Sequence, residues 1–526
     1  MSNIFKGRSL NVIEDLSIRE RRYFFQKVFE LKKAILEGDE ATQDQFRIND
    51  PDFGIYSVFL ENSTRTRESF KNAAKFHHAK VSELLTGGSS LNKGESYADT
   101  FNTISGYQNQ IFVVRSTVEG LTKWLSEETE EYTKRNHLPY TPAFINAGDG
   151  KHEHPTQELL DEFSFLEDND MSFDSIHIAL VGDLYHGRTV HSKADGLKVF
   201  DHVKVDLVAP DELQMPENYV EMMLENGFEV RSFDSIEHYL ENEDISDKWY
   251  FTRPQLERMG DDILKKQETL HQSITFRKEF LAKMKEGTKF YHPLPRHKEH
   301  PTIPTWLDKT SLNGWERQSI NGYYCRIVLI SLIAGVIGED FVPAESGNRA
   351  EEADYIQEVP ASAEKKKTEY SEGVRPIRNG LVIDHIGKGS SPKEIRSHMN
   401  LIMSVMELDC ERGGQWISQG ANGQYKGIIF SPERTKMTRK ELKRLAAVAP
   451  GSTLNIVKDG SVYHKFRAHM PPRIYNFDDL ICKNEACITN PVNCENVPCQ
   501  FYRTADDHFA CAYCGKFYTF KEIWKK

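Results

Sequence analysis

The sequence predicts an α/β protein with two parallel-sheet α/β subdomains, followed by an α+β domain and a small β domain. Short apolar segments alternate with helix-length segments as far as residue 340. A charged stretch at 345–372 nearly lacks large apolar side chains, and six of the eight cysteines lie in the last tenth of the chain. Because 526 residues exceed what one compact core holds, several domains are expected.

The composition favours a cytoplasmic protein. A formal net charge of −12 and a pI near 5.9 oppose general attraction to nucleic acid or to an anionic membrane. No apolar window reaches the roughly 18 residues of a membrane-spanning helix, and the N-terminal segment lacks the apolar core of a signal peptide. We therefore expect no nucleic-acid partner and no membrane, and any phosphate site must be local.

Residues 1–160 form the first predicted subdomain. Segments 55–60 and 110–114 have the composition of short strands that lead into a helix or loop. After the first of them, apolar or aromatic side chains recur at helical spacing, at Phe70, Ala73, Ala74, His77 and Val81. A helix that begins near residue 63 and includes Val81 is predicted.

Residues 161–340 form the second predicted subdomain. Its apolar segments are separated by helix-length stretches and are expected to be strands at 176–181, 203–208, 249–252 and 289–291. In an open parallel sheet, ligands bind at the carboxyl ends of the strands. Functional residues are therefore expected directly after these segments.

The remaining chain divides into three parts. Residues 345–372 are expected to be an unstructured linker, because they cannot bury enough apolar surface. An α+β domain is predicted at 373–475 and a cysteine-rich β domain at 476–526. The predicted elements of the α+β domain are strands at 380–386 and 452–457 and a helix at 439–448.

A phosphate site is predicted where the first strand passes into its helix. There Ser63, Thr64, Arg65 and Thr66 would occupy a helix N-terminus, where free N–H groups, hydroxyls and a guanidinium suit a phosphate dianion. The alternative is a plain N-cap followed by solvated arginines. Five polar residues in this register favour the phosphate site.

The run 63–67 resembles the carbamoyl-phosphate signature of the aspartate and ornithine carbamoyltransferases. Further segments match in family order. Residues 89–95 resemble a mobile loop, whose Ser90 and Lys93 would reach the active site of a neighbouring subunit. The resemblance therefore implies a homo-oligomer, at least a trimer.

Two more matches extend the site. Arg115 resembles the arginine that contacts carbamoyl phosphate, and His154 to Gln157 resembles the motif that holds the carbamoyl group. Carbamoyl transfer passes through a tetrahedral intermediate with a negative oxygen, for which Thr66, Arg115 and His154 are the expected donors. Arg65 is counted with them as catalytic. The phosphate would be held by Ser63, Thr64, Arg65, Ser90 and Lys93. No catalytic cofactor is expected.

The amino-acid end of the site is predicted in the second subdomain. Arg188 lies in a segment that resembles the family's G-D-L-x-x-G-R-T-V-H-S run, whose arginine binds the α-carboxylate of aspartate. Arg253 and Gln255 resemble the grip on the side-chain carboxylate, and Lys93 would join them. Arginines suit a dicarboxylate because each can bind one carboxylate through two hydrogen bonds.

The run 292–296 resembles the family's H-P-L-P-R loop. Its resemblance implies that the carbonyls of Leu294 and Pro295 receive the carbamoyl N–H groups. Ornithine enzymes carry a cysteine in this loop, and this sequence has none. The proton of the attacking amine would go to the phosphate or to His154, and the sequence leaves both open.

The last cysteines have the spacing of a closed, structural zinc site, C-x4-C and C-x2-C separated by 23 residues. By spacing alone, Cys494 and Cys499 could replace one pair. The regulatory chain of bacterial aspartate carbamoyltransferase carries C-x4-C-x23-C-x2-C, and by that resemblance one zinc per chain would be bound by Cys482, Cys487, Cys511 and Cys514.

The preceding domain also resembles that regulatory chain. Asp384, His385 and Lys465 would then contact an ATP or CTP effector. The family's K-D-L-I-K run reads K-G-I-I-F here, so Phe430 replaces an expected lysine. Effector binding and a role mainly in assembly are both open.

The resemblance implies an aspartate carbamoyltransferase with fused regulatory domain. It would use carbamoyl phosphate and L-aspartate, in the committed step of de novo pyrimidine biosynthesis. One alternative is a carbamoyltransferase for another amine. The other is an inactive scaffold with a zinc-ribbon nucleic-acid-binding module, but the terminal segment balances acid and base instead of being basic.

Overall fold

The computed structural model describes residues 3–84, 90–255, 267–343, 355–360, 377–408, 413–419, 423–432, 434–504 and 507–525. The chain divides into two compact units. The first is Met1–Pro343 with Ala486–Ile488 and Asn493–Glu495, and the second contains the other residues from Ala344 onward. Within the described ranges, no helix combines the length and apolar character that crossing a membrane requires.

The first unit is an α/β structure with nine described strands and twelve described α-helices. The helices are α1 (Ile18–Glu37), α2 (Glu40–Phe46), α3 (Thr64–Phe76), α4 (Tyr97–Ser105), α5 (Leu121–Arg135), α6 (Pro155–Glu167), α7 (Arg188–His191), α8 (Lys193–Gly196), α9 (Glu217–Glu225), α10 (Ile236–Tyr239), α11 (Gln267–Ile274) and α12 (Trp315–Ala334). The strands are β1 (Gly54–Phe59), β2 (Lys80–Glu83), β3 (Ile111–Ser116), β4 (Ala143–Asp149), β5 (Ser175–Val181), β6 (His202–Val208), β7 (Glu229–Phe233), β8 (Lys248–Phe251) and β9 (Lys289–Tyr291).

The nine strands form two parallel sheets, as predicted. The first has the order β2-β1-β3-β4 and the second the order β7-β6-β5-β8-β9. The predicted strands of the second sheet are confirmed to within a residue at each end. Strand β7 was not predicted, because its Glu-Val-Arg-Ser-Phe sequence at the sheet edge is mostly polar and only Phe233 is buried.

The prediction that Val81 belongs to the helix after β1 is wrong. Helix α3 ends at Phe76, with His77 as its C-cap, and His78 has a positive φ of 55°. This left-handed residue turns the chain into β2, which pairs in parallel with β1. Val81 therefore lies on an edge strand and is 39% exposed.

Helix α12 joins the two ends of the unit. Although it follows the second sheet in the chain, it packs against α1, α3 and α6, which precede that sheet. Its side chains are buried on nearly all sides, which suits a run from Ile327 to Ile333 in which only Ser331 is polar. Each fully buried Ile, Leu or Val there contributes about 1.5–3 kcal/mol to folding.

The second unit holds an antiparallel sheet and a small β domain. Its described elements are β10 (Ile356–Glu358), β11 (Gly380–Ile386), α13 (Pro392–Val405), β12 (Gly414–Gln419), β13 (Tyr425–Pro432), α14 (Arg439–Val448), β14 (Thr453–Lys458), β15 (Ser461–Ala468), β16 (Arg473–Ile474), β17 (Phe501–Arg503), β18 (His508–Cys511) and β19 (Phe517–Thr519). The six-stranded sheet has the order β10-β15-β14-β11-β13-β12, and the terminal sheet the order β16-β17-β18-β19.

Both described helices of this unit begin at capping residues. Ser391 caps α13 and Thr438 caps α14, each in a capping box with a glutamate three residues later. The predicted bounds of β11 and α14 match the structure, and β14 is shifted by one residue. The α+β and small β architecture is confirmed.

The prediction that the whole of 345–372 lacks structure is wrong at one point. Strand β10 lies within it and pairs antiparallel with β15, and Ile356 is buried at 8% exposure. One apolar side chain, Ile356, anchors this three-residue strand at the sheet edge. The composition averaged over 345–372 does not reveal a single residue of this kind. Residues 345–354 and 361–372 lie outside the described residues.

Candidate active site

A cavity of about 610 Å³ lies at the carboxyl ends of strands from both parallel sheets of the first unit. Loops and helix starts that follow β1, β4, β5, β8 and β9 line it, together with Arg115 near the end of β3. This is the position at which open α/β sheets bind ligands. The predicted site residues that line the cavity are Ser63, Thr64, Arg65, Thr66, Arg115, His154, Gln157, Arg188, Arg253, Gln255, Leu294 and Pro295.

Helix α3 points its N-terminus at this cavity. Ser63 is the N-cap, but its side chain makes no capping hydrogen bond, so the free N–H groups of the first turn and the hydroxyl face the same space. Thr66 is buried at 9% exposure. Burial lowers the pKa of Arg65, whose guanidinium nevertheless stays charged at any physiological pH. The arrangement suits an anion with several oxygens.

Arg115 is held rigidly beside this helix start. Its Nη1 donates to the carbonyl of Ala147 at 3.0 Å, and its Nη2 lies 2.7 Å from a carboxylate oxygen of Glu61. Gly148 has a φ of +114°, and a Cβ there would lie 2.4 Å from Arg115 Nη1. Position 148 therefore requires glycine both for its backbone conformation and for the room that the guanidinium takes.

His154 presents a neutral imidazole to the cavity. Burial lowers its pKa well below the ordinary value, and the charges of Arg188, Arg115 and Arg326 lower it further. Its Nδ1 lies 3.3 Å from the hydroxyl oxygen of Thr156. A neutral imidazole can donate one hydrogen bond, so His154 can polarise a carbonyl oxygen without carrying a charge.

Residues after β5 and β8 form the opposite wall. Arg188 Nη1 donates to the carbonyl of Gly150 at 2.6 Å. Gln255 is fixed twice, since its backbone N–H donates to Asp183 Oδ2 at 2.9 Å and its Nε2 donates to the His186 carbonyl at 2.7 Å. Asp183 is fully buried and so acts as an anchor for this wall.

The loop after β9 closes the cavity with backbone groups. Leu294 N–H donates to His292 Nδ1 at 2.8 Å, and the Leu294–Pro295 peptide is cis. Burial, together with the charges of Arg296, Arg65 and Arg253, lowers the pKa of His292 to about 3. Its ring is therefore neutral, and Nδ1 is free to accept.

Lys93 is exposed and is not among the described residues that line this cavity. Ser90 and Lys93 bound a short 3-10 helix, Ser90–Lys93. Their action in a neighbouring subunit therefore stays a prediction.

Sequence reasoning missed Arg326 and Gln318, which also line the cavity. Arg326 is 4% exposed, donates to Ser69 Oγ at 2.9 Å, and lies over the Phe70 ring. Burial lowers its pKa to about 10, so it remains a cation at neutral pH. The available signal was that Arg326 is the single charged residue in the mostly apolar run from Tyr323 to Ile333.

A second candidate site is formed by cysteines near the C-terminus. The sulfur atoms of four buried cysteines all lie within 4.8 Å of one another. These cysteines are Cys482, Cys487, Cys511 and Cys514. Tetrahedral zinc with Zn–S bonds of about 2.3 Å needs sulfurs about 3.8 Å apart, and the Sγ atoms of Cys482 and Cys514 are 3.6 Å apart. The residues therefore fit a metal ion. Among the described cysteines, Cys494 and Cys499 lie outside this cluster.

The predicted effector residues lie on the six-stranded sheet. Asp384 and His385 end β11, and His385 has a positive φ of 66°. Lys426 Nζ lies 2.8 Å from Asp384 Oδ1. Burial lowers the pKa of His385, and the charges of nearby lysines, Lys465 among them, add to that effect. The three predicted residues are thus near one another.

Four family models match the chain in order. They are the aspartate/ornithine carbamoyltransferase carbamoyl-P binding domain at 8–167, the Asp/Orn binding domain at 174–331, and the allosteric and metal binding domains of the aspartate carbamoyltransferase regulatory chain at 372–469 and 472–524. The matches place catalytic and regulatory models in one polypeptide.

Curated relatives match over the full length. The chain is 64% identical to Protein PyrBI of Treponema denticola, covering all of this chain and 99% of that protein. It is 50% identical to Protein PyrBI of Thermotoga maritima, with both chains covered completely.

Solved structures match the catalytic part. The catalytic subunit of M. jannaschii aspartate transcarbamoylase is 30% identical with a TM-score of 0.53, over 62% of this chain and 98% of that one. Trypanosoma cruzi aspartate transcarbamoylase, in complex with N-(phosphonacetyl)-L-aspartic acid, is 28% identical with a TM-score of 0.53, over 63% and 97%.

These matches define the class of protein as a carbamoyltransferase whose catalytic chain continues into a regulatory chain. The chain belongs to the family of fused catalytic and regulatory aspartate carbamoyltransferases named PyrBI. The predicted enzyme class and the predicted fusion are therefore confirmed, and the C-terminal domain is a metal-binding domain.

Proposed function

We propose that this enzyme transfers the carbamoyl group of carbamoyl phosphate to L-aspartate, giving N-carbamoyl-L-aspartate and phosphate. One observation carries the proposal: a single cavity receives the N-terminus of α3 from one sheet and two arginines, Arg188 and Arg253, from the other. A phosphate and a dicarboxylate are the ligands that these two walls suit. By family, this is the committed step of de novo pyrimidine biosynthesis, in the cytoplasm.

The α3 side would bind the electrophile. Ser63, Thr64 and Arg65 hold the phosphate, together with the N–H groups of the first turn. Thr66, Arg115 and His154 donate to the carbonyl oxygen, which becomes negative when the amine adds to the carbon. The new C–N bond forms in this addition, and the C–O bond to the phosphate breaks as the tetrahedral intermediate collapses. Gln157 and the carbonyls of Leu294 and Pro295 receive the carbamoyl N–H groups.

The phosphate is the better acceptor for the amine proton. A side chain whose pKa lies far below the working pH is a weak general base, and His154 is such a group. The departing phosphate dianion lies next to the reacting carbon and gains a proton as it leaves. His154 then serves as a hydrogen-bond donor only.

The opposite wall would bind aspartate. Arg188 holds the α-carboxylate, and Arg253 with Gln255 holds the side-chain carboxylate. The fixed position of Gln255 supports this, because a preorganised amide selects a carboxylate at one distance. Ser90 and Lys93 of a neighbouring subunit complete the site, so the catalytic part is at least a trimer.

The C-terminal metal would be zinc with a structural role, one ion per chain. Four buried cysteine sulfurs close the coordination sphere to substrate, and soft thiolate ligands favour zinc. Tyr518 Oη lies 3.3 Å from Cys482 Sγ and would donate to that thiolate, which supports a ligand of fixed orientation.

The fused regulatory domain has two candidate roles. Asp384, His385 and Lys465 support an ATP or CTP site by family likeness. The ion pair between Lys426 and Asp384, and the apolar Phe430 in place of a lysine, remove charge that a triphosphate needs, and they favour assembly. We propose domain bounds of 1–160, 161–340, 373–475 and 476–526, with 345–372 between the catalytic and regulatory parts; the family-model matches support them.

The test is formation of carbamoyl-aspartate from carbamoyl phosphate and L-aspartate, beside L-ornithine and with ATP or CTP added. We expect turnover with aspartate alone, and its loss in Arg65→Ala because the phosphate loses its charge partner. A response to nucleotides would assign the effector role to the regulatory domain, and a flat response would assign assembly. Folded, metal-loaded protein without turnover on either amine would refute the proposed reaction.

A further inference from the structure

Asp161 is a fully buried carboxylate that accepts four hydrogen bonds directly behind the cavity. Its Oδ1 accepts from Gln157 Nε2 at 2.9 Å and from Gln318 Nε2 at 2.6 Å. Its Oδ2 accepts from Lys193 Nζ at 3.0 Å and from Tyr250 Oη at 2.7 Å. Asp161 does not line the cavity, but both of its glutamine partners do.

The carboxylate fixes which way each glutamine amide faces. An ionised carboxylate only accepts hydrogen bonds, so each glutamine must turn its NH2 group toward Asp161. For Gln157, that leaves the carbonyl oxygen as the end of the amide on the cavity side. Without such a partner, the two ends of the amide would be nearly interchangeable.

Gln318 transmits the same constraint to the loop after β9. Because its Nε2 is committed to Asp161, its Oε1 accepts the backbone N–H of His292 at 2.8 Å. His292 Nδ1 in turn accepts the N–H of Leu294. The position of the Leu294 backbone is thus tied through two hydrogen bonds to Gln318, which Asp161 orients.

We propose that Asp161 is the positioning residue that sets the selectivity for a carbamoyl group. The proposal rests on the proposed function. A carbamoyl NH2 group has two N–H donors and needs acceptors for both. Asp161 orients Gln157, which offers Oε1, and the loop that offers the carbonyls of Leu294 and Pro295. An acyl phosphate that carries a methyl group in place of NH2 has nothing to donate, so these acceptors would stay unpaired against it.

Asp161→Asn tests the proposal because asparagine has the shape of aspartate but carries an NH2 donor in place of one accepting oxygen. Lys193 and Tyr250 are donors and retain the asparagine oxygen, so the asparagine NH2 faces the two glutamines. Gln157 must then turn its oxygen inward and present NH2 to the substrate NH2. Both groups would be donors.

Three constants separate selectivity from general damage: the KM of carbamoyl phosphate, and the inhibition constants of acetyl phosphate and inorganic phosphate against it. In Asp161→Asn we expect the first to rise about tenfold or more, since a favourable contact is replaced by an unfavourable one. The other two should stay within about twofold, because the α3 cradle is untouched. Tyr250→Phe, which removes an Oδ2 partner and a side-chain hydrogen bond with Thr189 but neither bond to Oδ1, should leave all three unchanged.

Unchanged carbamoyl phosphate KM in folded Asp161→Asn would overturn the proposal, as would a common rise of all three constants or the same selectivity change in Tyr250→Phe. Should Asp161→Asn not fold, Gln318→Leu tests the loop arm: a raised carbamoyl phosphate KM with unchanged phosphate inhibition supports the proposal, and three unchanged constants overturn it. Absence of turnover in the parent enzyme would instead refute the proposed function itself.

Discussion

Arg188 Nη1 lies 2.6 Å from the carbonyl oxygen of Gly150, so an arginine that begins α7 after β5 is bonded to the loop after β4. One guanidinium therefore connects the ligand-binding ends of the two parallel sheets. It has five N–H donors, which is enough to keep this bond and also to bind a carboxylate through two others.

Arg188→Lys should raise the KM of aspartate at least about tenfold and leave that of carbamoyl phosphate within about twofold. A lysine ammonium cannot keep the Gly150 bond and also bind a carboxylate in the planar two-bond geometry. Steady-state kinetics with each substrate varied measures the change. Arg277→Lys, on the surface near Glu237, is the matched control and should change neither constant. A change in carbamoyl phosphate KM alone would reverse the assignment of the two walls.

Gly148→Ala should reduce kcat/KM by about 10²-fold, because a small displacement of a catalytic group has effects of that size. The new Cβ would lie 2.4 Å from Arg115 Nη1 and push the guanidinium away. Gly227→Ala is the control, since Gly227 also has a positive φ, +82°, but its Cβ would meet nothing within 4 Å. It should cost about 1–2 kcal/mol of stability from backbone strain and leave kcat/KM unchanged. Equal activity in the two variants would contradict the crowding argument.

Glu162→Gln should make unfolding less dependent on pH. Burial raises the pKa of Glu162 to about 8, despite its contact with Arg21 at 3.0 Å. A carboxyl group whose pKa is higher in the folded than in the unfolded state stabilises the folded protein at low pH. This stabilisation is complete below the pKa of the unfolded state, near 4.5, and is lost as the pH rises to about 8. The wild type should therefore lose up to about 1.4 kcal/mol per pH unit that the variant does not lose.

Urea unfolding of both proteins between pH 5 and 8 measures that difference. The glutamine keeps an oxygen for Arg21 and removes only the titration. Glu225→Gln, at an exposed position of α9, should show the same pH dependence as the wild type. Parallel curves for wild type and Glu162→Gln would rule out a buried neutral carboxyl.

Cys514→Ser should lose the bound metal, and Cys494→Ser should keep one ion per chain. Cys514 is one of the four clustered sulfurs, whereas Cys494 is exposed and outside the cluster. Elemental analysis of the purified proteins measures the metal, and its identity as zinc is read from the same data. Metal loss should destabilise the terminal β domain, because binding energy at such a site contributes to folding. Loss of metal from Cys494→Ser alone would mean that the ligand set is wrong.

Local patterns predicted most of the fold because their causes are local. Strands β5, β6 and β8 of the second sheet carry apolar segments that are mostly buried, and α14 begins at a threonine with a glutamate three residues later. Val81 was misplaced because the apolar spacing continues past His78, while the turn depends on a left-handed backbone conformation there. Periodicity does not report that conformation.

Candidate site residues could be predicted where the local strand-to-helix segment that contains a residue also determines where its side chain lies. The α3 start and Arg188 are such cases, since the helix that follows each strand brings the side chains to the cavity. Asp161 and Arg326 could not be found this way. Their partners are far away in the chain, as for Asp161 with Gln318 and for Arg326 with Ser69. Only the packed structure brings those segments together.

The ribosome synthesises helix α12 after all the other described segments that line the cavity. It is the last helix of the first unit, and it carries Gln318 and Arg326 to a cavity whose other walls are built from residues 61 to 295. A nascent chain that ends before α12 contains all nine described strands of both parallel sheets. It still lacks three lining residues, Gln318, Ser319 and Arg326, and the partner of α1, α3 and α6. The ribosome must therefore synthesise the chain as far as Arg326 before every described residue that lines the cavity is present.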